Sequence, residues 1–354
     1  MDFGAPLDLL RWHDTLGPIM RANPDWGTGP PIAYIEERKF LRYRRVVVPA
    51  NRTEWYKSVF GREGLFRPRR SCPEAQLLSD RGRRTVVRLD DPLPSANGGG
   101  PAGGGFRGGI AAATRVASAS AGLVLKDEHY PFPTLLHGIL TVPRAEREFH
   151  NLLALRSLGF PAVEPLACGH SGFWILYHRS FLITREFAGA TSLKTWLKAC
   201  TRGKPVDFSA AEIREAMLVF AKDLAKLHRA RCYVRTLYGK NILARRNEEG
   251  RVELVLCDVP RLWWLRGRGL SFSLAARDLA CLDKWARMVF GPIGRYRFLK
   301  TYLRRLGEGP PIRRWIRKIL RQRDRMRHAT FTGRVHRRWR RLLKRFGVGN
   351  YWPF

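Results

Sequence analysis

Strand-forming and helix-forming patterns are segregated along this chain of 354 residues. Short apolar runs typical of strands occur at 84–89 (RTVVRL) and 123–126 (LVLK), with one helical pattern close behind them at 144–158. From Ser192 onward helical patterns dominate, and a single hairpin with its turn at 247–250 interrupts them. This order predicts an α+β fold rather than a doubly wound sheet. The length predicts about two domains or lobes.

The longest predicted helix begins at a capping box formed by Ser209 and Glu212, where each side chain can satisfy a backbone N–H of the other residue. The other predicted elements are strands at 40–49, 173–177 and 181–187 and helices at 53–60, 192–200 and 275–289.

A glycine-rich stretch at 91–122 separates two of the predicted strands. It contains the pattern G-x-G-x-x-G twice, first at Gly98, Gly100 and Gly103. A phosphate-binding loop of this kind needs a strand before it and a helix after it, and Pro and Ala flank this stretch instead. We therefore interpret it as a flexible insert, a linker or a hairpin tip.

The chain is strongly basic, with 65 Lys and Arg against 30 Asp and Glu and a net charge of +35. Arg supplies most of these cations, and its planar fork of donors suits phosphate. The excess indicates a polyanionic partner: nucleic acid, a nucleotide or a phosphorylated membrane surface. An Arg-rich genome is the alternative explanation.

Several protein classes are not indicated. The first residues show no signal peptide, and no run of 18 apolar residues predicts a membrane-spanning helix. The six cysteines form no C-x-x-C pair and no cluster with zinc spacing, so we expect reduced thiols in an intracellular protein.

Four polar residues stand in an order that has chemical meaning. Lys126 ends a strand, Glu148 lies in a helix, Asn241 lies in a loop after the longest helix, and Asp258 follows an apolar strand. Protein kinases use a strand Lys for the nucleotide phosphates, a helix Glu behind it, and a loop Asn and a strand-end Asp for magnesium. Taken singly, Lys126 and Glu148 would also fit as solvated surface residues, whereas a carboxylate directly after an apolar strand needs a partner.

The chain resembles the lipopolysaccharide core kinases of the Kdo/WaaP family, which have a protein-kinase-like fold. The resemblance covers roughly residues 80–305 and rests on an ordered set of short motifs. They are GRRT at 82–85, LVLK at 123–126, RAEREF at 144–149, FLITREF at 181–187, TSL at 191–193, LHRA at 227–230, YGKNIL at 238–243, CD at 257–258 and RDL at 277–279.

The resemblance implies roles for individual residues. Lys126 would bind the α- and β-phosphates of ATP and Glu148 would pair with Lys126. Asn241 and Asp258 would be ligands of Mg²⁺. The adenine would lie beside a hinge formed by four consecutive residues, which are Thr184, Arg185, Glu186 and Phe187. His228 is expected to be a structural hydrogen-bonding residue rather than a catalyst.

The resemblance also implies a setting. The enzyme would phosphorylate an inner-core sugar of lipopolysaccharide or a related glycolipid. It would be cytoplasmic and peripheral at the inner face of the cytoplasmic membrane.

One position departs from the family pattern. The family carries Asp as catalytic base five residues before the Asn, and this chain has Thr236 there. A threonine hydroxyl cannot accept a proton at neutral pH, although phosphoryl transfer depends largely on positioning and charge neutralisation. The predicted function is therefore an ATP-dependent kinase, and the alternative is a pseudokinase that binds nucleotide as a scaffold.

The C-terminal segment 311–354 is basic and amphipathic. Between Ile312 and Phe346 it carries 15 Arg and Lys against one acid, Asp324. Such helices suit an anionic membrane surface, and the alternative is that their apolar stripes pack on the helical lobe. A basic nucleic-acid-binding protein is the third hypothesis for the whole chain. No nucleic-acid-binding motif accompanies the charge, so no specific nucleic acid is expected as a partner.

The predicted organisation has four parts: an N-terminal extension (1–80), a kinase-like N-lobe (81–184) with the insert at 91–122, a helical C-lobe (185–310) and the basic tail (311–354).

Overall fold

A computed structural model describes residues 32–39, 42–64, 76–80, 84–89, 122–130, 142–173, 176–265, 270–307 and 309–326. The predicted insert lies outside the described residues except for Gly122, and so does the tail beyond Met326. The chain divides into two compact units after Ala190. Residues 255–261 return to the first unit, so the short stretch that carries Asp258 belongs with the N-terminal strands.

The first unit is built on a seven-stranded sheet in which every neighbouring pair is antiparallel. Its spatial order is β1-β2-β6-β7-β5-β4-β3. The strands are β1 (Ile32–Lys39), β2 (Arg42–Pro49), β3 (Gln76–Asp80), β4 (Arg84–Leu89), β5 (Leu123–His129), β6 (Pro165–Phe173) and β7 (Leu176–Arg185). Three strands from the stretch predicted as an N-terminal extension thus pair in the same sheet as the predicted lobe.

In the described part of this unit, two helices accompany the sheet, α1 (Thr53–Gly64) and α2 (Arg144–Ser157). One apolar cluster joins Tyr56 of α1 to alternate residues of the strands, including Leu123, Leu125 and Ile183. Because successive side chains of a strand point to opposite faces, Lys126 lies on the other face of β5 from Leu125. The alternation that buries Leu123 and Leu125 on one face of β5 therefore also directs the Lys126 side chain to the opposite face.

The second unit is mainly helical. It holds a small sheet in the order β11-β10-β8 and the two-stranded pair β12-β9. Its elements are β8 (Thr191–Ser192), α3 (Leu193–Thr201), α4 (Ala210–Arg229), β9 (Cys232–Tyr233), β10 (Ile242–Arg246), β11 (Val252–Leu256, whose last two residues belong to the first unit), β12 (Trp263–Trp264), α5 (Phe272–Ala286), α6 (Pro292–Leu306) and α7 (312–326). Strands thus dominate the first unit and helices the second, which confirms the predicted α+β class.

The capping box at the start of α4 is present as predicted. The Ser209 hydroxyl accepts the backbone N–H of Glu212, and the Glu212 carboxylate accepts the backbone N–H of Ser209. The stripe that α4 buries includes Ile213, Phe220 and Leu224. This helix positions the loop that follows it, which carries Thr236 and Asn241.

The strand predicted at 173–177 is not one element: Phe173 ends β6, Leu176 begins β7, and residues 174–175 lie outside the described part of the chain. The rest of β6 was not predicted, because its sequence PLACGHSGF alternates poorly between apolar and polar residues. It is a strand because β2 and β7 pair with it on both sides, which is a tertiary constraint. Strands β1 and β3 and helix α6 were not predicted.

Helix α7 packs on the second unit through its apolar stripe. The Trp315 side chain is fully buried, and its ring centroid lies 4.6 Å from that of Phe272 and 5.7 Å from that of Tyr302. Ile319 is also buried, one turn further along. The first third of the predicted basic tail is thus an integral helix of this unit, with Arg313, Arg317 and Arg321 on its exposed face.

We expect Trp315→Ala to destabilise the protein by about 3–5 kcal/mol, the usual cost of deleting a buried Trp side chain. Chemical denaturation followed by circular dichroism measures this change. The exposed neighbour Arg317 provides the control, because Arg317→Ala should change the stability by less than about 0.5 kcal/mol. Equal stability of the two variants would show that α7 does not pack as described.

Candidate active site

The Lys126 ammonium lies against two acceptors within the first unit. Its Nζ donates to Oε1 of Glu148 at 2.6 Å and to the backbone carbonyl of Cys257 at 2.8 Å. The Glu148 side chain is 2% exposed and that of Lys126 is 12% exposed. The predicted ion pair therefore forms, and it joins β5, α2 and the residue before Asp258.

The stretch around Asp258 is held in the first unit by a series of hydrogen bonds. The backbone of Leu256 bonds to Pro161 and Val163 on the loop after α2. The Asn151 amide, on the buried face of α2, donates to the carbonyl of Val259 at 2.8 Å. With Cys257 bonded to Lys126, the backbone is fixed on both sides of Asp258. Asn151 was not predicted as a site residue; its position three residues after Glu148, on the same helix face, was the available signal.

The Asp258 carboxylate lies near a cation of α2. Its Oδ1 is 3.8 Å from Nη2 of Arg144, and Nη1 of Arg144 is 3.4 Å from Glu128. The Asp258 side chain is 17% exposed. A partly buried carboxylate in this position can bind a cation. The cation can be a free ion or an ion that is already bound to an anionic ligand.

A second buried carboxylate ties α2 to the sheet. Oε2 of Glu146 lies 3.4 Å from Nδ1 of His170 on β6. Burial alone would raise the pKa of Glu146, but the hydrogen bond and charge of His170, with Arg45 and His150, lower it to about 2. Glu146 is therefore ionised at neutral pH and fixes the helix that carries Glu148.

The predicted hinge lies at the end of the first unit. Thr184 is buried in β7, and Nε of Arg185 donates to Glu164 at 2.7 Å. The backbone N–H of Glu186 donates to Gly122, and the Glu186 carboxylate pairs with Arg88 at 2.8 Å. Phe187 follows as a half-buried residue. The N–H of Glu186 is thus already engaged.

In the second unit, Asp278 of α5 organises the loop after α4. Its carboxylate accepts the backbone N–H groups of Val234 at 2.8 Å and Arg235 at 2.6 Å. It also lies 3.2 Å from Nε2 of His228, whose Nδ1 is 2.8 Å from the Tyr302 hydroxyl. Both His228 and Asp278 are fully buried. His228 is a structural hydrogen-bonding residue here, as expected, and Asp278 is a positioning residue that the motif at 277–279 had marked without a role.

Two non-glycine residues between α4 and Asn241, Arg231 and Arg235, have left-handed backbone conformations. Arg235 has a φ of 60°, in the left-handed region, and its guanidinium stacks on the Trp263 ring at 3.7 Å. The next residue, Thr236, donates its hydroxyl to the carbonyl of Val234 at 3.4 Å. The Asn241 amide nitrogen donates to the carbonyl of Thr236 at 2.9 Å. Thr236 and Asn241 are therefore fixed relative to each other.

No carboxylate replaces the missing catalytic Asp within this loop, since residues 228–246 contain no Asp or Glu. The nearby Tyr238 and Cys281 do not replace it either. Burial, followed by the charge and hydrogen bond of Cys281, raises the pKa of Tyr238 to about 12, and burial followed by the charge of Asp278 raises the pKa of Cys281 to about 12. Both are protonated at neutral pH, so the loop offers no proton acceptor at position 236.

Within the described residues, no three His, Cys, Asp or Glu side chains come together as a metal centre. This does not disfavour magnesium, because a nucleotide-bound Mg²⁺ typically uses one or two carboxylates and several phosphate and water oxygens. The helices among the described residues include none that is long and apolar enough to cross a membrane.

Comparison with known proteins bears on this geometry. Residues 133–263 match the family described as lipopolysaccharide kinase (Kdo/WaaP). The matched segment includes Glu148, Thr236, Asn241 and Asp258 and ends just before Trp264, whereas Lys126 precedes it. The match confirms the resemblance and the prediction of a phosphotransferase of the lipopolysaccharide kinase type with a protein-kinase-like fold. It does not favour the nucleic-acid-binding or scaffold alternatives.

Two solved structures are similar to the chain. WaaP in complex with acyl carrier protein is 17% identical, with a TM-score of 0.49, and the match covers 81% of this chain and 98% of that one. A double mutant of the Mycobacterium tuberculosis PknI kinase domain is 11% identical, with a TM-score of 0.37, and the match covers 70% of this chain and 94% of that one. No curated protein matches the chain.

The Lys126–Glu148 pair gives a test of the site's stability. We expect Lys126→Met to destabilise the protein by about 3–5 kcal/mol, because it leaves a buried carboxylate without its cation. The double variant Lys126→Met/Glu148→Leu should recover most of this loss, since a buried ion pair contributes little net stability over an apolar pair. Urea denaturation of the three proteins measures the effect.

The surface pair Lys57 and Glu54, 2.9 Å apart and well exposed, is the matched control. Lys57→Met should change the stability by less than about 1 kcal/mol. A double variant as unstable as Lys126→Met alone would contradict the buried pairing.

Proposed function

We propose that this protein is an ATP-dependent kinase that phosphorylates a sugar of lipopolysaccharide or a related envelope glycolipid. The observation that carries the proposal is the buried Lys126–Glu148 pair bonded to the carbonyl next to Asp258. This arrangement supplies a fixed cation for phosphate and a carboxylate for a metal ion within one unit.

The side chains fit Mg–ATP by their donor chemistry. The Lys126 ammonium would contact the α- and β-phosphates while Glu148 holds it in place. Carboxylate oxygens of Asp258 and the amide oxygen of Asn241 are hard ligands of the kind Mg²⁺ prefers. The amide nitrogen of Asn241 is bonded to Thr236, so the oxygen is the atom that Asn241 would offer to the ion. The ion, when bound, neutralises phosphate charge during transfer.

Adenine would lie beside residues 184–187. Because the N–H of Glu186 already donates to the carbonyl of Gly122, we assign adenine recognition to another backbone group of this segment, the carbonyl of Glu186. Hydrogen bonds from backbone groups suit a purine edge without requiring a particular side chain.

The reaction forms a bond from an acceptor hydroxyl oxygen to the γ-phosphorus and breaks the bond from that phosphorus to the β–γ bridging oxygen. ADP is the leaving group. In a loose transition state the hydroxyl proton leaves late, so its transfer to a phosphoryl oxygen or to water can replace a protein base. We therefore propose a kinase whose Thr236 loop positions the acceptor without deprotonating it.

We place the enzyme at the cytoplasmic face of the membrane as a peripheral protein. ATP is available on that side, and a glycolipid acceptor is held in the bilayer. The high positive charge of the chain complements a surface rich in phosphate.

Nucleotide binding is the first test. We expect the protein to bind Mg–ATP, and we expect Asp258→Ala to raise the Kd by about tenfold or more, because the ion loses an oxygen ligand. Isothermal titration calorimetry with and without magnesium measures this. Asp223→Ala on α4 removes the same charge from a residue outside the site and should leave the Kd unchanged. Absence of ATP binding at millimolar concentration would end both the kinase and the pseudokinase hypotheses.

The second test restores the missing base. We expect Thr236→Asp to raise the rate of phosphate transfer from labelled ATP to extracted core lipopolysaccharide. A positioned general base typically contributes about 10²–10⁴-fold, which sets the upper range of the gain. Thr236→Asn is the matched control, because it has nearly the same shape as Asp and cannot accept a proton.

Equal gains from Asp and Asn would assign the effect to loop geometry rather than to proton transfer. Transfer by the wild type with no gain from Asp would indicate that the enzyme already has an efficient proton route. No transfer by any of the three proteins, with ATP binding intact, would favour a nucleotide-binding scaffold.

A further inference from the structure

Exposed apolar side chains cluster at one corner of the second unit. Of the eight large apolar side chains that are exposed among the described residues, three lie on or just before the start of α6, and a fourth, Ile316 of α7, lines the same cavity as Tyr296. Ile293 is 70% exposed, Met288 60%, Tyr296 46% and Ile316 36%. Burying such side chains is favourable, so a cluster that stays exposed marks an interaction surface.

The same corner is strongly basic. Helix α6 carries five Arg and Lys and no Asp or Glu. Its exposed face repeats at helical spacing through Ile293, Tyr296, Arg297, Lys300 and Arg304. Apolar residues thus lie at the N-terminal end of this face and cations along the rest, and we call it the α6 face.

Asp283 of α5 is bonded to cations of both α6 and α7, and Glu308, which follows α6 in the sequence, lies outside the described residues. Oδ1 of Asp283 on α5 accepts from Arg295 at 2.9 Å, and its Oδ2 accepts from Arg323 of α7 at 2.9 Å. These bonds hold α5, α6 and α7 together from the inner side. They leave the charge of Arg297 and Lys300 directed to the exposed side of α6.

The apolar surface continues inward at this corner. A cavity of about 690 Å³ lies between α4, α5, α6 and α7, and both Tyr296 and Ile316 line it. Phe290, Leu299 and Ile319 are among its deeper residues. The corner is therefore an apolar depression with a cationic helix beside it.

We infer that the α6 face is the surface through which this protein docks on an anionic lipid membrane. Apolar side chains next to Arg and Lys on one helix face match the two layers of such a membrane, which are acyl chains and phosphate groups. The inference deepens the proposed function, because it names the part of the kinase that meets the membrane holding its acceptor.

Other occupants fit the charges and side chains less well. A second copy would bring together two surfaces of a protein with a net charge of +35, and the residues after Met326, which are also basic in sequence, would be repelled by the cations of this face. Nucleic acid would satisfy the cations but would leave Ile293 and Met288 without apolar partners. An acidic protein remains as the competing occupant, and it is an outcome of the test.

The test compares full-length variants in co-sedimentation with vesicles of equal parts phosphatidylcholine and phosphatidylglycerol. Arg297→Gln/Lys300→Gln should weaken partitioning by about thirtyfold, from two basic residues near an anionic surface. Ile293→Ser/Tyr296→Ser should weaken it by about tenfold, because apolar insertion is lost. The affected residues are exposed, so the variants are expected to fold.

Val206→Ser/Lys204→Gln is the matched control, because it changes an exposed valine and an exposed lysine in the connector between α3 and α4. Its partitioning should equal that of the wild type. Pure phosphatidylcholine vesicles should bind all four proteins weakly.

The proposal is overturned if both α6 variants partition like the wild type, or if the control loses as much binding as they do. Unchanged partitioning with lost capture of a small acidic protein would assign the face to that partner instead. Mg–ATP titration of the same variants separates this inference from the kinase proposal, since the α6 variants should keep the wild-type Kd whether or not they bind vesicles.

Discussion

The site in the first unit depends on the two hydrogen bonds that the Lys126 ammonium donates. The ammonium satisfies a carboxylate on α2 and a backbone carbonyl beside Asp258, so three stretches far apart in sequence share one cation. Taking a Lys and a Glu out of water is costly, and it is tolerated here because each charged atom has close partners. These contacts fix the position of the lysine before a phosphate binds. Electrostatic stabilisation of a transferred group requires such preorganised charges.

A second carboxylate does comparable work in the other unit. Asp278 is buried and accepts two consecutive backbone N–H groups, and this holds Arg235 in a left-handed conformation that a non-glycine residue rarely adopts. The Arg235 guanidinium then stacks on the ring of Trp263. The energetic cost of the left-handed backbone at Arg235 is therefore offset by two charge-assisted hydrogen bonds and one cation–π contact. These contacts fix the loop around Thr236 without an acidic side chain at that position, which is the reason that a positioning role for this loop is chemically reasonable.

The positive charge of the chain has two different structural settings. Some of the arginines form partly buried ion pairs that join elements of one unit. Arg295 and Arg323 pair with Asp283 in this way, and Arg185 pairs with Glu164. Others, including Arg297, lie on exposed helix faces. The burial of Trp315 adds to this distinction, because it makes α7 part of the lobe. Truncating the chain from residue 311 would therefore remove core packing as well as charge. The membrane surface was predicted for the whole basic tail, and the cluster at α6 suggests a different place for it.

The sequence by itself determined the fold class, the helices with clear apolar periodicity and the pairing of Lys126 with Glu148. These features depend on local patterns: alternation on β5, a capping box at Ser209, and residue types whose order along strand, helix and loop is chemically specific. Only the tertiary structure decided that 165–173 is a strand, because its residues pair with β2 and β7 without a strong pattern of their own. It also decided that Asn151 and Arg144 hold the Asp258 stretch, and that Asp278 shapes the loop of Thr236. Asn151 and Asp278 act by bonding to backbone groups more than 40 residues away, and Arg144 lies near a carboxylate 114 residues away, so no local periodicity encodes these contacts.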